Sequence, residues 1–532
     1  MSEVFDYVIV GAGSAGCVLA DRLSADPGTS VLLIEAGGSD RHPAFAIPKG
    51  FAFTTSHPDY GWQYKTEPVG PTRKIETWSR GRVLGGSSSI NGMVYNRGSR
   101  ADYDHIVELG NPGWGWDEMS RVFRTIEDHE LGAADERGVG GPLHVGVRRG
   151  TEAVSEMMME AAGHLGMRRV SDINETDDER VGFSAATIKN GTRFSAARAF
   201  LRPALKRPNL TVRTRTTATS VVFEGDDAVG IRAEHAGTAV TFRARREVVL
   251  SLGSIATPQL LELSGIGGRD VLGRVGIDVR VDSPQVGEGV REHRCFPLQV
   301  RLAENIGYNR KLSSPVRQGL SGLQYLATRR GPIATPAYEM LSFMRTSDTS
   351  TRPDAQVLMT PFSQGAAPLK VGVENRPGAQ LLGFVLRPTS LGSIHVTSAD
   401  PHAHPRIDPN YLATEHDRTT AVAMFKKMRR VVEQSPLADH VVAETLPGRA
   451  LQDDEGLINS GLINGGTGYH ACGAVAMGPR DEDAVDSRLR VRGVNRLRVV
   501  DVSVLPAMTS GNLNGPIMAM AWRAAELIVE DA

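Results

Sequence analysis

Residues 5–37 read FDYVIVGAGSAGCVLADRLSADPGTSVLLIEAG, and the way they break up decides the fold. Tyr7–Val10 is a short apolar run suited to a buried parallel strand. Gly11, Gly13 and Gly16 follow at G-x-G-x-x-G spacing, and Ala15, Leu19, Ala20 and Leu23 then recur at helical intervals. Pro27 and Gly28 stop the helix, and Val31–Ile34 is a second apolar strand ending on Glu35. Such a strand–turn–helix–strand unit binds a dinucleotide. Gly11 permits the tight turn, Gly13 the approach of a pyrophosphate, and Gly16 close packing of helix on strand. The helix start turns free N–H groups toward the phosphates, and Glu35 suits ribose hydroxyls. The glycines alone do not separate FAD from NAD.

The rest of the chain sets the context. At 532 residues it is too long for one core, so two or more domains are expected. The formal net charge of −1 gives no general attraction to nucleic acid or an anionic membrane. Three cysteines, Cys17, Cys295 and Cys472, stand far apart, which argues against a disulfide framework and a zinc site. Cys17 reads as a packed small residue. The first strand starts with no room for a signal peptide, no apolar run reaches spanning length, and a cytoplasmic location is expected.

Further along, RGRVLGGSSSINGMVYNRG (80–98) offers backbone N–H groups and hydroxyls at close range, as a loop gripping a polar cofactor would. NPGWGW (111–116) starts a new helix, and Ala153–His164 is helical, with Met157–Met159 as core. LTVRTRTTATSVVF (210–223) alternates like one strand, Glu247–Leu250 is another, and GSIATPQLLELSGIG (253–267) turns into a glycine-closed helix. Basic residues at 202–215 and 243–246 read as solvated faces. From about 296 loops lengthen, and Gln380–Arg387 and Ser393–Thr397 suit antiparallel strands, marking a second domain. The end of the chain repeats the pattern of its beginning, with an apolar strand LRVVD (497–501), a polar loop TSGNLNG, and a helix starting at Pro516. A helix start there suits a partly anionic flavin better than nicotinamide.

In four blocks the chain resembles the glucose–methanol–choline (GMC) family of flavoprotein oxidoreductases. They are GAGSAG with LLIEAG; GRVLGGSSSINGMVYNRGSRADYD (81–104); GSIATPQLLELSGIG (253–267); and YHACGAVAMG (469–478) with RVVDVSVLPAMTSGNLNGPIMAMAWRAAELI (498–528). VLRPTSLGSIHVTSADPHAHPRIDPNYL (385–412) is similar to the family's substrate-domain strands. The resemblance implies an α/β (α+β overall) fold: a Rossmann-like FAD-binding domain assembled from 1–150, 190–295 and 460–532, and a substrate domain of antiparallel sheet and helices from 151–189 and 296–459. It implies FAD contacts from Gly11, Gly13, Ser14, Ala15 and Gly16, from Glu35 and Ala36, and from Val83, Gly85 and Ser87. Asn91, Gly92, Met93 and Val94 would lie along the flavin and Ala218 by the adenine. Asp501, Val502, Asn514 and Pro516 would meet the ribityl chain and ring. Relatives that tether FAD use a histidine where this chain has Ile90, so non-covalent FAD is expected. His-Pro-x-Gly-Thr, frequent around the family's catalytic histidine, is here His470-Ala471-Cys472-Gly473-Ala474.

The reaction so implied is oxidation of a primary alcohol to the aldehyde. Hydride goes to the flavin, and the protein supplies a base near the oxygen. His470 matches the base, with an unperturbed pKa near working pH, and Asn514 matches the residue that hydrogen-bonds the alcohol oxygen. Asn512 reads as a loop-capping amide. Glu339 resembles a glutamate near the substrate cavity of choline- and alkanol-oxidising relatives, and a buried structural glutamate is an equal reading. A hydroxynitrile-lyase-like acid–base enzyme on the same FAD scaffold is the alternative, and an NAD-dependent dehydrogenase a third class. The motifs leave open whether electrons pass to oxygen or to a quinone or other carrier, which alcohol is oxidised, and the oligomeric state.

Overall fold

The computed structural model describes residues 3–147, 152–365 and 372–532. The sequence boundary expected between 150 and 151 lies outside the described residues. Two sheets organise the molecule. The first has seven strands. In spatial order they are Leu210–Arg213, Val31–Ile34, Glu3–Val10, Thr238–Leu250, Asp227–His235 and Thr216–Glu224, with Leu497–Val499 joined to the far end of Thr238–Leu250. The opening strand sits at the centre. It pairs in parallel with Val31–Ile34 on one side and Thr238–Leu250 on the other, and Tyr7–Val10 is buried. A continuous apolar run is what a strand covered on both faces requires.

Ser14–Leu23 is the helix that the opening motif calls for. Its partner is the helix Asn514–Glu530, packed against it from the other end of the chain. Leu497–Val499 runs parallel to the end of Thr238–Leu250. The C-terminal segment thus completes the sheet begun by the N-terminal one.

Most elements form where the pattern puts them; Ala153–His164 is a helix over those residues. One difference is informative. LTVRTRTTATSVVF forms two strands, Leu210–Arg213 and Thr216–Glu224, because Arg215 takes a left-handed turn at φ 53°. The first then pairs in parallel with Val31–Ile34 while the second turns away to pair antiparallel with Asp227–His235. Alternation alone cannot reveal a one-residue corner.

The second sheet has eight strands. Arg294–Leu302, Gly378–Val385, Ala355–Thr360 and Met340–Met344 form its antiparallel centre. Glu415–Val432 covers it with a face of Ala421, Met424, Phe425 and Met428. Ser393–His395, expected as an antiparallel strand, pairs with Arg406–Asp408 in a separate ribbon.

Candidate functional site

A cavity of about 650 Å³ runs between the two sheets, within the range of sites that enclose a cofactor or ligand. At one end it is built by the opening motif. A Cβ on Gly16 would stand 1.8 Å from the Gly11 carbonyl oxygen, so the helix can press on the turn only with glycine there. A Cβ on Gly86 would lie 2.7 Å from the Gly13 Cα, so the loop after Gly85 also leans directly on the phosphate-type turn. Ser14 and Asn514 are the first residues of their helices, and the Ser14 hydroxyl donates to Asn514 Oδ1 at 2.8 Å. Two helix N-termini therefore meet on one side of the cavity, each with free N–H groups and the positive end of its dipole.

Of the residues expected at a cofactor, Gly11, Gly13, Ser14, Ala15, Glu35, Ala36, Ser87, Asn91, Gly92, Met93, Val94, Ala218, Asp501, Val502 and Asn514 line this cavity. Gly16, Val83, Gly85 and Pro516 are not among its lining residues. Glu35 accepts from the Ala12 N–H at 3.0 Å and the Gly37 N–H at 2.8 Å. Burial nevertheless pushes its pKa up to about 7, against the opposing pull of those two donors.

The serine loop differs from a hydroxyl-lined grip. Ser88 and Ser89 donate back to Gly85 and Leu84, and Ser87 accepts from the Gly81 N–H. Its hydroxyls hold the loop. Asp501 likewise spends its carboxylate on protein donors, the Gly253 and Ser503 N–H groups and the Thr257 hydroxyl at 2.6 Å. It clamps the 253–267 segment to the C-terminal strand.

His470 lies at the other end of the cavity, half-buried like Asn512 and beside the fully buried His293. The His293 Nε2 stands 3.0 Å from the Leu386 carbonyl, which can only accept. Nε2 therefore carries the proton, and neutral His293 presents a bare Nδ1. That Nδ1 is 2.8 Å from His470 Nδ1, which must then be the donor. The lone pair of His470 is thereby left on Nε2, where the Asn512 amide N–H₂ donates at 2.9 Å. One backbone carbonyl thus fixes the tautomer of the cavity's histidine two residues away.

Both rings stay neutral. Burial lowers the His293 pKa to about 4, and burial, His293 and Arg80 hold His470 well below the usual histidine range. Glu292 secures the arrangement. Its carboxylate accepts from the His293, His470 and Ala471 N–H groups and from the Thr467 hydroxyl, and Arg80 stands 3.8 Å away. The His293 ring stacks on Phe384, centroids 4.3 Å apart.

The expected pairing of His470 with Asn514 is corrected by these distances. Asn512 occupies the position beside His470, and Asn514 reaches toward Ser14 instead. Asn512 stands in the loop and Asn514 opens the helix, so the two side chains meet different partners, which spacing along the chain does not reveal. Glu339 is buried just before the strand Met340–Met344 of the second sheet, with Tyr308 donating to one oxygen and Ser155 to the other. Its backbone neighbours Ala337 and Tyr338 line the cavity. Glu292, His293 and Arg80 were missed. The Glu-His pair stands outside every quoted block, and the only signal was two adjacent titratable residues before an apolar strand.

The donor set suits an extended anionic dinucleotide: helix N-termini at one end, a carboxylate at the tip of a parallel strand, and at the far end a cavity wall of Met93, Val94, Phe384 and Tyr338 beside a neutral imidazole. Comparison with known proteins agrees. The family model described as GMC oxidoreductase matches residues 5–295 in its N-terminal part and 388–521 in its C-terminal part. The chain is 36% identical over 539 residues to an oxygen-dependent choline dehydrogenase of Photobacterium profundum, covering 99% of this chain and 94% of that one. It is 36% identical over 531 residues to an alcohol dehydrogenase [acceptor] of Pseudomonas putida, covering 99% and 96%. The crystal structure of pyridoxine 4-oxidase from Mesorbium loti superposes with a TM-score of 0.88 at 29% identity, covering 98% of both chains.

Proposed function

This chain belongs to the GMC oxidoreductases, FAD-dependent enzymes acting on alcohol-type substrates, and from that premise we propose that it oxidises a primary alcohol to the aldehyde with His470 as general base. The observation that carries the reading is the lone pair on His470 Nε2, fixed there by the Leu386–His293 relay and met in this structure by the Asn512 amide. We assign the first sheet with both helix N-termini to FAD and the second sheet to the substrate, in the division drawn from the sequence. Ser14, Asn514 and the 11–16 turn would hold FAD from the phosphate end to the ring, with Glu35 at the ribose. FAD, when bound, supplies the acceptor for the hydride leaving the alcohol carbon. The chain's own residues do the rest. His470 Nε2 takes the hydroxyl proton, so that electron density on oxygen can form the carbonyl as hydride leaves. Asn512 donates to the same oxygen without acquiring charge. Phe384, Leu382 and Tyr338 keep water out.

The two asparagines are separable. Asn512→Ala should slow flavin reduction on the order of tenfold, the loss of one oriented hydrogen bond, at unchanged FAD content. Asn514→Ala should lower FAD content with less effect on reduction per bound flavin. Stopped-flow reduction of flavin-saturated variants checks this, and the opposite ranking would return the role to Asn514.

Ile90 packs with Phe45 and Val83 and offers no nucleophile. Acid or heat denaturation should therefore release all the yellow colour into the supernatant; colour that pellets with the protein would mean a covalent link elsewhere.

A further inference from the structure

The helix Pro315–Thr328 buries only Ser321 and Tyr325. Val316, Leu320, Leu323 and Leu326 are exposed at 74, 62, 64 and 64%. The first three stand at i, i+4 and i+7, one continuous apolar stripe. Single exposed leucines are ordinary, but four large apolar side chains on one helix mark a contact surface.

The charge around the stripe is one-sided. From Asn305 to Tyr338 the chain has no acidic residue, while it carries Arg310, Lys311, Arg317, Arg329 and Arg330, against a net charge of −1 for the whole protein. Lys311 pairs with Glu152, whereas Arg317, Arg329 and Arg330 make no ion pair among the described residues. The segment also lies between the two family-model matches, which end at 295 and resume at 388. It is not a spanning element: among the described residues no helix is long and apolar enough to cross a membrane.

We propose that this helix docks the enzyme on an anionic membrane surface, with the leucine stripe in the headgroup–acyl boundary and the arginines at the lipid phosphates. An amphipathic helix with a basic polar flank binds in that way. A second copy of the chain fits less well, because a two-fold contact would bring two uncompensated basic faces together. The docked face also adjoins the cavity wall. After the helix, Pro332–Ala334 packs on the Pro48–Gly50 turn, and the Lys49 ammonium donates to the Pro336 carbonyl at 2.5 Å, beside cavity-lining Ala337 and Tyr338.

Co-sedimentation of the holoenzyme tests this with phosphatidylcholine vesicles, with and without phosphatidylglycerol. Binding is expected only with phosphatidylglycerol and should weaken with salt. Leu320→Glu with Leu323→Glu should abolish it, and Arg329→Gln with Arg330→Gln should weaken it by on the order of fivefold per charge removed, both at unchanged flavin content and turnover. The proposal is overturned if wild type ignores the anionic vesicles, if the doubly substituted Leu320/Leu323 protein still binds them, or if wild type is a dimer in light scattering that the same double substitution splits while neither protein binds vesicles.

Discussion

Replacing His470 by alanine is expected to slow reduction of the bound flavin by alcohol about 10²–10⁴-fold, the usual worth of a positioned general base, with FAD still in place. The pH dependence sharpens the test. Burial, His293 and Arg80 hold His470 well below the usual histidine range, so the base is free at neutral pH. Reduction should be flat through neutral pH and should fail only well below the ordinary histidine value of about 6.5, when protonation occupies Nε2. The His470→Ala enzyme should lack that acid limb. His293→Ala removes the acceptor that holds His470 Nδ1–H, so part of the population should take the wrong tautomer and reduction should slow. His293→Gln, whose amide oxygen accepts in the same place, should recover much of the rate. A His470→Ala enzyme that reduces fully bound FAD at the wild-type rate would remove this residue from the mechanism, and equal rates in both His293 variants would remove the relay.

The second large effect concerns stability. Arg97 and Glu127 form a bidentate pair at 2.7 Å with side chains 1% and 0% exposed, and Tyr95 also donates to Glu127. The pair anchors the segment that follows the cavity-lining 91–94 stretch. Arg97→Ala leaves the Glu127 carboxylate buried with no countercharge, which costs about 3–5 kcal/mol. Arg97→Ala with Glu127→Leu should recover a substantial part, because no isolated charge remains. Release of flavin fluorescence during urea unfolding gives the measurement. If both variants unfold at the same urea concentration, the loss is one of packing and not of charge.

The fold was legible where local pattern and tertiary demand agree. Tyr7–Val10 and Val31–Ile34 are continuous apolar runs because both of their faces are covered, and Gly11 and Gly16 stand where a Cβ would collide with the backbone of Ser251 and of Gly11. His470 was legible only through its block. What recommends it as the base, a lone pair held on Nε2, depends on Leu386 and His293, 84 and 177 positions away in sequence, and no window along the chain holds them together. Asn512 and Asn514 sit two residues apart across the start of a helix, so their directions had to be seen. The 315–328 stripe was legible as a pattern, yet overall neutrality masked its local basic excess.

The pairing of Leu497–Val499 with the end of Thr238–Leu250, and of Asn514–Glu530 with Ser14–Leu23, has a consequence for how the enzyme is made. About five hundred residues separate the motif that opens the cofactor cradle from the helix that closes it, and at about 5–20 residues per second that stretch takes a ribosome on the order of a minute. Until Asn514–Glu530 has emerged, the leading strand and helix wait with one flank uncovered, so cofactor capture follows synthesis of that helix.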